Sequence, residues 1–166
     1  NVCSISPKEN NVINIIPESK ELGYVGKPKK INKEKILNFI KNKQIPIVVP
    51  LGLGDDGRIY NINADVAAGS IAKEIDARRL LLMTDVEGVL DENQKLISEI
   101  NLNKANEMLK NNIISGGMIP KINTCLDAIS NGVRGVVIVD GRKPHSILFE
   151  LFSDKGAGTL IRKWII

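Results

Sequence analysis

Residues 60–65 read Tyr60-Asn61-Ile62-Asn63-Ala64-Asp65, and a run of small residues, 66–72, follows directly. The stretch predicts a short strand from Arg58 to Asn61 that turns at once into a helix from Ala64 to Ile75. A strand that passes straight into a helix is typical of α/β folds. Strands and helices are predicted to alternate on both sides of it.

The turn in this stretch carries three polar side chains. Asn63 is predicted to cap the helix, because its side-chain oxygen can accept a backbone N–H of the first turn. Asp65 lies in that first turn, where the helix dipole favours a negative charge. A capped helix explains both residues, but two amides and a carboxylate are more polar groups than a cap needs. Asn61, Asn63 and Asp65 are therefore candidate site residues.

The neighbouring segments predict alternating strands and helices. Towards the N-terminus we predict a hairpin of strands 12–16 and 22–27, a helix over 33–43 capped by Asn32 with Ile36, Leu37 and Ile40 on one face, and a strand over 45–50 covered on both faces. Towards the C-terminus we predict strands over 79–83, 135–139 and 158–161, and helices over 101–109, 121–130 and 146–152. This order predicts an α/β sandwich with a mainly parallel open sheet, in which the early hairpin is the one antiparallel appendage.

Three glycines, Gly52, Gly54 and Gly57, have the spacing of a dinucleotide-binding fingerprint. That fingerprint needs a helix that begins at the glycines and binds phosphate with its N–H groups. Here Asp55 and Asp56, which would repel phosphate, stand at that place, and another strand follows. A turn between two strands is the preferred interpretation, and an NAD-binding oxidoreductase is a distant alternative.

The bulk composition restricts partners and location. A net charge of +4 would suit nucleic acid, but the lysines are spread along the chain and the aromatic content of 4% offers few stacking platforms. We therefore predict no nucleic-acid partner. No apolar run has the length of a membrane span and no signal peptide is recognisable, so no membrane partner is predicted. The isolated Cys3 and Cys125 suggest reduced thiols in the cytoplasm, and a single histidine, His145, excludes a His-rich metal site.

Two further segments are candidates for binding a ligand. Residues 84–90 leave the carboxyl end of a predicted strand, where open parallel sheets place their ligands. Residues 113–115 lead into Gly116-Gly117 and then Lys121 at the start of a helix. Glycines let the backbone approach a phosphate, and a lysine in the first turn adds a point charge. A plain turn, a simple helix entry and a solvated lysine are the simpler explanations.

Three motifs occur in this order: the Tyr-Asn-Ile-Asn-Ala-Asp of residues 60–65, Leu-Leu-Met-Thr-Asp-Val-Glu-Gly-Val-Leu at 81–90, and Gly-Gly-Met-Ile-Pro-Lys at 116–121. With residues 22–27 and 155–159, they closely resemble the amino acid kinase family, in particular its members that phosphorylate N-acetylglutamate. The resemblance covers essentially the whole chain. It implies a three-layer α/β/α sandwich of the carbamate kinase-like type.

The resemblance also implies an activity. These kinases use MgATP to phosphorylate the γ-carboxylate of N-acetylglutamate in arginine biosynthesis, and a cytoplasmic homo-oligomer is expected. Asn61 and Asn63 would hold the acetylglutamate, Asp65 would organise the active centre, and Lys121 would contact the transferring phosphoryl group. The nucleotide site would be lined by Thr84, Asp85, Val86, Glu87, Gly88, Val89, Ile113, Ile114 and Ser115. ATP and Mg²⁺ are the expected cofactors, and no protein ligand for a metal is predicted.

Two departures from the family pattern shape the expectation for this chain. The family's N-terminal Lys-x-Gly-Gly loop and its acetylglutamate-binding arginine do not precede Asn1. Residues 1–166 are thus expected to form the nucleotide-binding C-terminal part, incomplete as a catalyst, without the amino-acid-binding N-terminal part. Val137 stands where arginine-inhibited members carry a histidine, so feedback inhibition is not expected.

Other functions stay open at this point. A kinase of the same family acting on carrier-bound aminoadipate would share the nucleotide residues, although Asn61 and Asn63 favour acetylglutamate. A non-catalytic nucleotide- or ligand-binding domain is the alternative from a different class.

Overall fold

Strands and helices alternate through residues 2–163, the part of the chain that the computed structural model describes. The chain divides into two units, residues 1–75 and residues 76–166. Among residues 2–163, no helix is long and apolar enough to cross a membrane.

The first unit is rich in short strands. Its strands are β1 (Val2–Ile5), β2 (Ile13–Pro17), β3 (Gly26–Ile31), β4 (Ile45–Val48), β5 (Leu51–Gly54) and β6 (Ile59–Asn61). Its helices are α1 (Pro7–Asn10), α2 (Lys33–Lys41) and α3 (Ala64–Glu74), and a short 3₁₀ turn spans Lys20–Leu22. β1 and α1 were not predicted, and β3 begins four residues after the start predicted for the second hairpin strand.

The second unit has fewer strands and longer helices. Its strands are β7 (Leu80–Thr84), β8 (Glu99–Asn101), β9 (Gly135–Asp140) and β10 (Gly158–Arg162). Its helices are α4 (Leu102–Lys110), α5 (Met118–Ser130) and α6 (Ser146–Phe152). α5 begins at Met118, three residues before the predicted start at Lys121. Pro120 is accommodated in the first turn, where its N–H would have no acceptor within the helix.

Parallel and antiparallel pairs alternate across the sheets. The first unit holds a sheet in the order β3-β2-β5-β6 and a parallel pair of β1 and β4, and the second unit holds β7-β9-β10-β8. The parallel pairs are β1–β4, β2–β5, β7–β9 and β8–β10. The predicted hairpin of β2 and β3 is antiparallel, but so are β5–β6 and β9–β10. The hairpin is therefore not the one antiparallel element. The β5–β6 pair confirms a turn between two strands, but only Gly57 lies in that turn, whereas Gly52 and Gly54 lie within β5.

Two predictions about burial were wrong. β4 was predicted to be covered on both faces, yet Ile45 and Ile47 are 65% and 53% exposed. The reason is that both residues lie on the same face of β4, and among the described residues only the opposite face, with Val48, packs against the core. On α2, Ile36 is buried but Ile40 is 47% exposed, because Phe39 packs against the core in its place.

Each unit has an apolar core. In the first unit, branched aliphatic residues of β1, β2, β3 and α2 pack with Tyr60, Ile62 and Ala67 around the start of α3. In the second unit, every residue of β9 is buried, and β9 lies between β7 and β10. The carboxyl ends of β6 and β7, which carry the predicted site residues, leave these cores.

Candidate functional site

The turn between β6 and α3 is held by its own sequence. Asn63 caps α3, and its side-chain oxygen accepts the backbone N–H groups of Asp65 and Val66 at 3.0 and 3.2 Å. Asp65 lies half-buried in the first turn, as predicted. The cap confirms the strand-to-helix prediction made from residues 60–65.

The cap determines which part of the Asn63 side-chain amide is available to a ligand. Because the oxygen of Asn63 is used by the helix, its NH₂ group is the part that can donate to a ligand oxygen. Asn61 is exposed at the end of β6, and its backbone N–H donates to the carbonyl of Tyr24 at 2.8 Å. The turn thus presents amide donors near the N-terminus of an 11-residue helix, a place that favours anions.

A tyrosine–aspartate pair beneath this turn was not predicted. The hydroxyl of Tyr60, which is buried, donates to Asp56 at 2.8 Å, and its ring packs edge-on to Tyr24 with centroids 5.7 Å apart. The backbone N–H of Arg58 and then the Tyr60 hydroxyl lower the pKa of Asp56. The same carboxylate raises the pKa of Tyr60. These contacts hold the turn between β5 and β6 against Tyr24, whose carbonyl accepts the Asn61 N–H.

The loop after β7 carries most of the predicted nucleotide residues. The Thr84 hydroxyl donates to Asp85 at 3.3 Å, and the Thr84 carbonyl accepts the N–H of Gly141 at 2.8 Å. Glu87 pairs with Lys143 at 2.7 Å, and both side chains are about half exposed. The loop then becomes buried at Gly88 and Val89.

A cavity of about 260 Å³ joins two of the predicted segments. Val86, Gly88 and Val89 line it on one side, and residues 113–115 line it on the other. Its remaining lining residues are Leu90, Gln94 and Met118. The structure therefore brings together six of the nine residues predicted for the nucleotide site, whereas Thr84, Asp85 and Glu87 lie in the same loop outside the lining.

Lys121 lies one turn along α5 from the cavity. Met118, the first residue of α5, lines the cavity, and Lys121 follows three residues later with its side chain half-buried. Gly116 has a φ of +56°, which glycine adopts without strain, and Gly117 is the residue before the helix. The N–H groups of Met118 and Ile119 donate to the carbonyls of Ser115 and Gly116, both at 3.2 Å, and Pro120 has no N–H, so Lys121 is the group by which the first turn can attract an anion.

An ion pair between a buried aspartate and an exposed arginine closes the end of β9, next to the end of β7. Asp140 is 2% exposed and accepts two hydrogen bonds from the Arg142 guanidinium, both at 3.0 Å, and one from the Arg142 backbone N–H. These hydrogen bonds lower the pKa of Asp140 to about 2 and raise the pKa of Arg142. The sequence suggested only a turn here. The signal that it offered was an Asp-Gly-Arg directly after a fully apolar strand.

Two other cavities lie around α6. A groove of about 770 Å³ is lined by apolar residues of α6, among them Leu148, Phe149 and Phe152. Beside it, a polar cavity of about 350 Å³ contains Glu150, which is buried and accepts Arg79 at 3.2 Å and the Ala157 N–H at 2.8 Å. No predicted site residue lines either cavity. Among residues 2–163, no group of three His, Cys, Asp or Glu side chains could hold a metal ion.

Comparison with known proteins identifies the class. A model of the amino acid kinase family matches residues 1–140. The chain therefore belongs to the amino acid kinase family, and the family predicted from the three motifs is confirmed.

The relatives narrow the comparison further. The chain is 60% identical over 159 residues to the acetylglutamate kinase of Pelagibacter ubique (strain HTCC1062), covering 96% of this chain and 55% of that protein. It is 51% identical over 166 residues to the acetylglutamate kinase of Clostridioides difficile (strain 630), covering 98% and 57%. The chain thus spans about half the length of the curated relatives that it matches.

A solved structure supports the fold. The N-acetylglutamate synthase of Neisseria gonorrhoeae, in complex with coenzyme A and N-acetyl-glutamate, aligns with a TM-score of 0.88 over 99% of this chain and 38% of that chain. The sequence identity is 22%, so this likeness shows the fold alone. The predicted α/β fold of the family is confirmed.

Proposed function

We propose that this chain forms the nucleotide-binding part of an acetylglutamate kinase, which transfers the γ-phosphoryl group of MgATP to the γ-carboxylate of N-acetylglutamate. The observation that carries the proposal is the 260 Å³ cavity in which Val86–Val89 and Ile113–Ser115 meet. Val86, Gly88 and Val89 belong to the motif at 81–90, and residues 113–115 stand directly before the motif at 116–121. The substrate is proposed from the names of the two relatives above.

The cavity suits part of a nucleotide better than all of it. Sites for whole drug-sized ligands span about 300–1,000 Å³. At about 260 Å³, this cavity fits a base or a base with its ribose, with the phosphates outside it. Met118 leads from the cavity to the first turn of α5, where Lys121 offers positive charge to phosphate.

Side chains of the first unit would bind the acceptor, N-acetylglutamate. Asn61 and Asn63 present amide donors that match the carboxylate and acetyl oxygens of N-acetylglutamate. The acceptor carboxylate has a reference pKa near 4.3, so it is ionised at neutral pH and needs no general base. Asp65 is better suited to organising neighbouring cations than to accepting a proton.

The principal obstacle to this reaction is repulsion between a carboxylate and a polyphosphate. Fixed positive charge and oriented N–H dipoles lower that barrier without reorganising in the transition state. Lys121 would supply the charge. We propose that further cationic groups come from the part of the relatives' length that this chain does not cover.

Magnesium fits this scheme as a ligand of the nucleotide phosphates. Mg²⁺ in kinases is held by substrate phosphates and one or two carboxylates, and it keeps several waters. We assign it no protein ligand. A cytoplasmic homo-oligomer is proposed for the whole enzyme, as the resemblance implies.

Calorimetric titration with MgATP tests the proposal. We expect the chain to bind MgATP, and Lys121→Ala to weaken binding by about tenfold or more, because a hydrogen bond to a charged group contributes about 1.5–3 kcal/mol. Lys41→Ala, which removes a lysine from the end of α2, is the matched control and should bind as the wild type does. A folded chain that binds no MgATP would overturn the proposal.

A further inference from the structure

One buried hydroxyl forms a hydrogen bond with the backbone of a segment that lines the 260 Å³ cavity. Thr159 lies on β10 with 0% of its surface exposed. Its hydroxyl accepts the backbone N–H of Val89 at 2.8 Å and donates to the carbonyl of Ile97 at 2.6 Å. A hydroxyl has one donor and two acceptor positions, so one side chain satisfies both backbone groups.

These two backbone groups belong to one strand-like pair. The N–H of Ile97 donates directly to the carbonyl of Val89 at 2.9 Å, and Leu90 and Leu96 form the next antiparallel bridge. In an antiparallel hydrogen-bonded pair, the two residues normally exchange both bonds directly. Here the second bond passes through Thr159. The hydroxyl is therefore inserted into the backbone ladder at the base of the loop.

Gly88 makes room for this insertion. Its φ is +147°, and a Cβ atom there would lie 2.6 Å from the Thr159 hydroxyl oxygen and 2.7 Å from a methyl carbon of Leu96. Such distances do not occur between a Cβ atom and its neighbours, so only glycine lets the loop approach β10 this closely.

We propose that Thr159 is a positioning residue for the nucleotide. Gly88 and Val89 line the cavity, whereas Thr159 lies behind them and does not. The hydroxyl fixes where the backbone of these two residues stands and so fixes one wall of the cavity. The inference rests on the proposed function, because it assigns the occupant of that cavity to MgATP.

A purely stabilising role is the alternative, and replacements at Thr159 separate the two. Thr159→Val keeps the volume and removes the hydroxyl, leaving the Val89 N–H and the Ile97 carbonyl buried without a partner. Thr159→Ser keeps the hydroxyl and removes a methyl group. A role in stability alone would lower the melting temperature without changing affinity for MgATP in the fraction that is folded.

The experiment measures MgATP affinity by calorimetry well below the melting temperature of each variant, together with hydrogen exchange at the Val89 amide. We expect Thr159→Val to bind MgATP about tenfold more weakly and to exchange the Val89 amide faster, the affinity change being the size expected when buried polar groups lose their partners. Thr159→Ser should stay within about twofold of the wild type. Thr124→Val, the same replacement on α5, is the control, and Thr159→Ala takes over if the valine variant does not fold.

The outcomes separate this inference from the proposed function. Folded Thr159→Val or Thr159→Ala with wild-type affinity would overturn the positioning role while leaving the nucleotide site in place. Serine as weak as valine would also overturn it, because the methyl group would then be the part that matters. A wild-type chain that binds no MgATP would remove the proposed function and the inference together.

Discussion

The turn after β6 and the loop after β7 each leave a strand and each carry predicted site residues, but they are held in different ways. Asn63 fixes the first with hydrogen bonds to backbone groups two and three residues away. Thr159 fixes the second with a hydrogen bond to Val89 from 70 residues away. One is shaped by its own sequence and the other by a distant strand.

This difference has consequences for what each region tolerates. A change in the turn after β6 should act locally, on the start of α3 and on groups offered to the acceptor. A change behind the loop after β7 should act at a distance, because β10 and the end of β9 both support that loop. The three predictions below test whether the two regions differ in this way.

Gly88→Ala should have the largest effect. The new Cβ would collide with the Thr159 hydroxyl and Leu96, and φ would remain positive, so we expect a loss of roughly 2–5 kcal/mol in unfolding free energy and loss of MgATP binding. Gly57→Ala is the matched control, because φ is +76° there but nothing lies within 4 Å of the added carbon. It should cost about 1–2 kcal/mol. Chemical denaturation would measure both, and equal losses would show that the close approach at Gly88 is unimportant.

Variants of Asn63 should separate its role as a helix cap from its proposed role in binding the acceptor. Asn63→Ala removes the cap and should cost about 1 kcal/mol in unfolding free energy, whereas Asn63→Asp keeps an oxygen acceptor and should be nearly neutral. The aspartate also replaces the NH₂ donor by a negative charge, so titration with N-acetylglutamate should show binding weakened in both variants.

Asn101→Ala is the control for that pair of variants. Asn101 caps α4 by accepting the N–H of Lys104 at 2.8 Å, far in sequence from the proposed acceptor residues. The Asn101→Ala variant should lose about the same unfolding free energy as Asn63→Ala and keep any affinity for N-acetylglutamate. Asn63→Asp that binds the acceptor normally would remove Asn63 from the proposed site.

Acid should weaken the Asp140–Arg142 ion pair, which lies beside the loop after β7, only at very low pH. Asp140 has a pKa lowered from 3.8 to about 2, so its contribution to stability is complete above about pH 4 and is lost as the pH falls through about 2. Arg142→Gln removes the guanidinium, and the pKa of Asp140 should rise towards its ordinary value.

The melting temperature of Arg142→Gln should therefore lie below that of the wild type at pH 7, and the two should converge as the pH falls towards 2, because a protonated Asp140 gains nothing from the pair. Arg134→Gln, at an exposed arginine just before β9, is the control and should unfold as the wild type does. Melting temperature measured from pH 7 to pH 2 gives the comparison. Identical acid profiles for Arg142→Gln and the wild type would show that the pair does not support this end of β9.

The sequence predicted what depends on neighbouring residues. The helix caps Asn32 and Asn63, and the turn between β5 and β6, follow from groups a few positions apart. Residues 113–115 were assigned to the nucleotide site from the family resemblance. In the structure they line the same cavity as residues of the loop after β7.

The sequence could not predict what depends on distant partners. β4 and β9 are both continuous apolar runs, yet Ile45 on β4 is 65% exposed while β9 is buried throughout, since the burial of a strand depends on which segments pack against its two faces. The Thr159 bridge and the Asp140–Arg142 pair were missed because side-chain hydrogen bonds of this kind leave no periodic pattern.

The most direct test of the account is a map of where MgATP binds. Backbone amide resonances of the isotope-labelled chain, followed through a titration with MgATP, would report each residue near the nucleotide. We predict that the largest shifts fall on Gly88, Val89 and residues 113–115 around the 260 Å³ cavity. Shifts confined to Leu148, Phe149 and Phe152, in the larger groove along α6, would contradict the assignment of the nucleotide site.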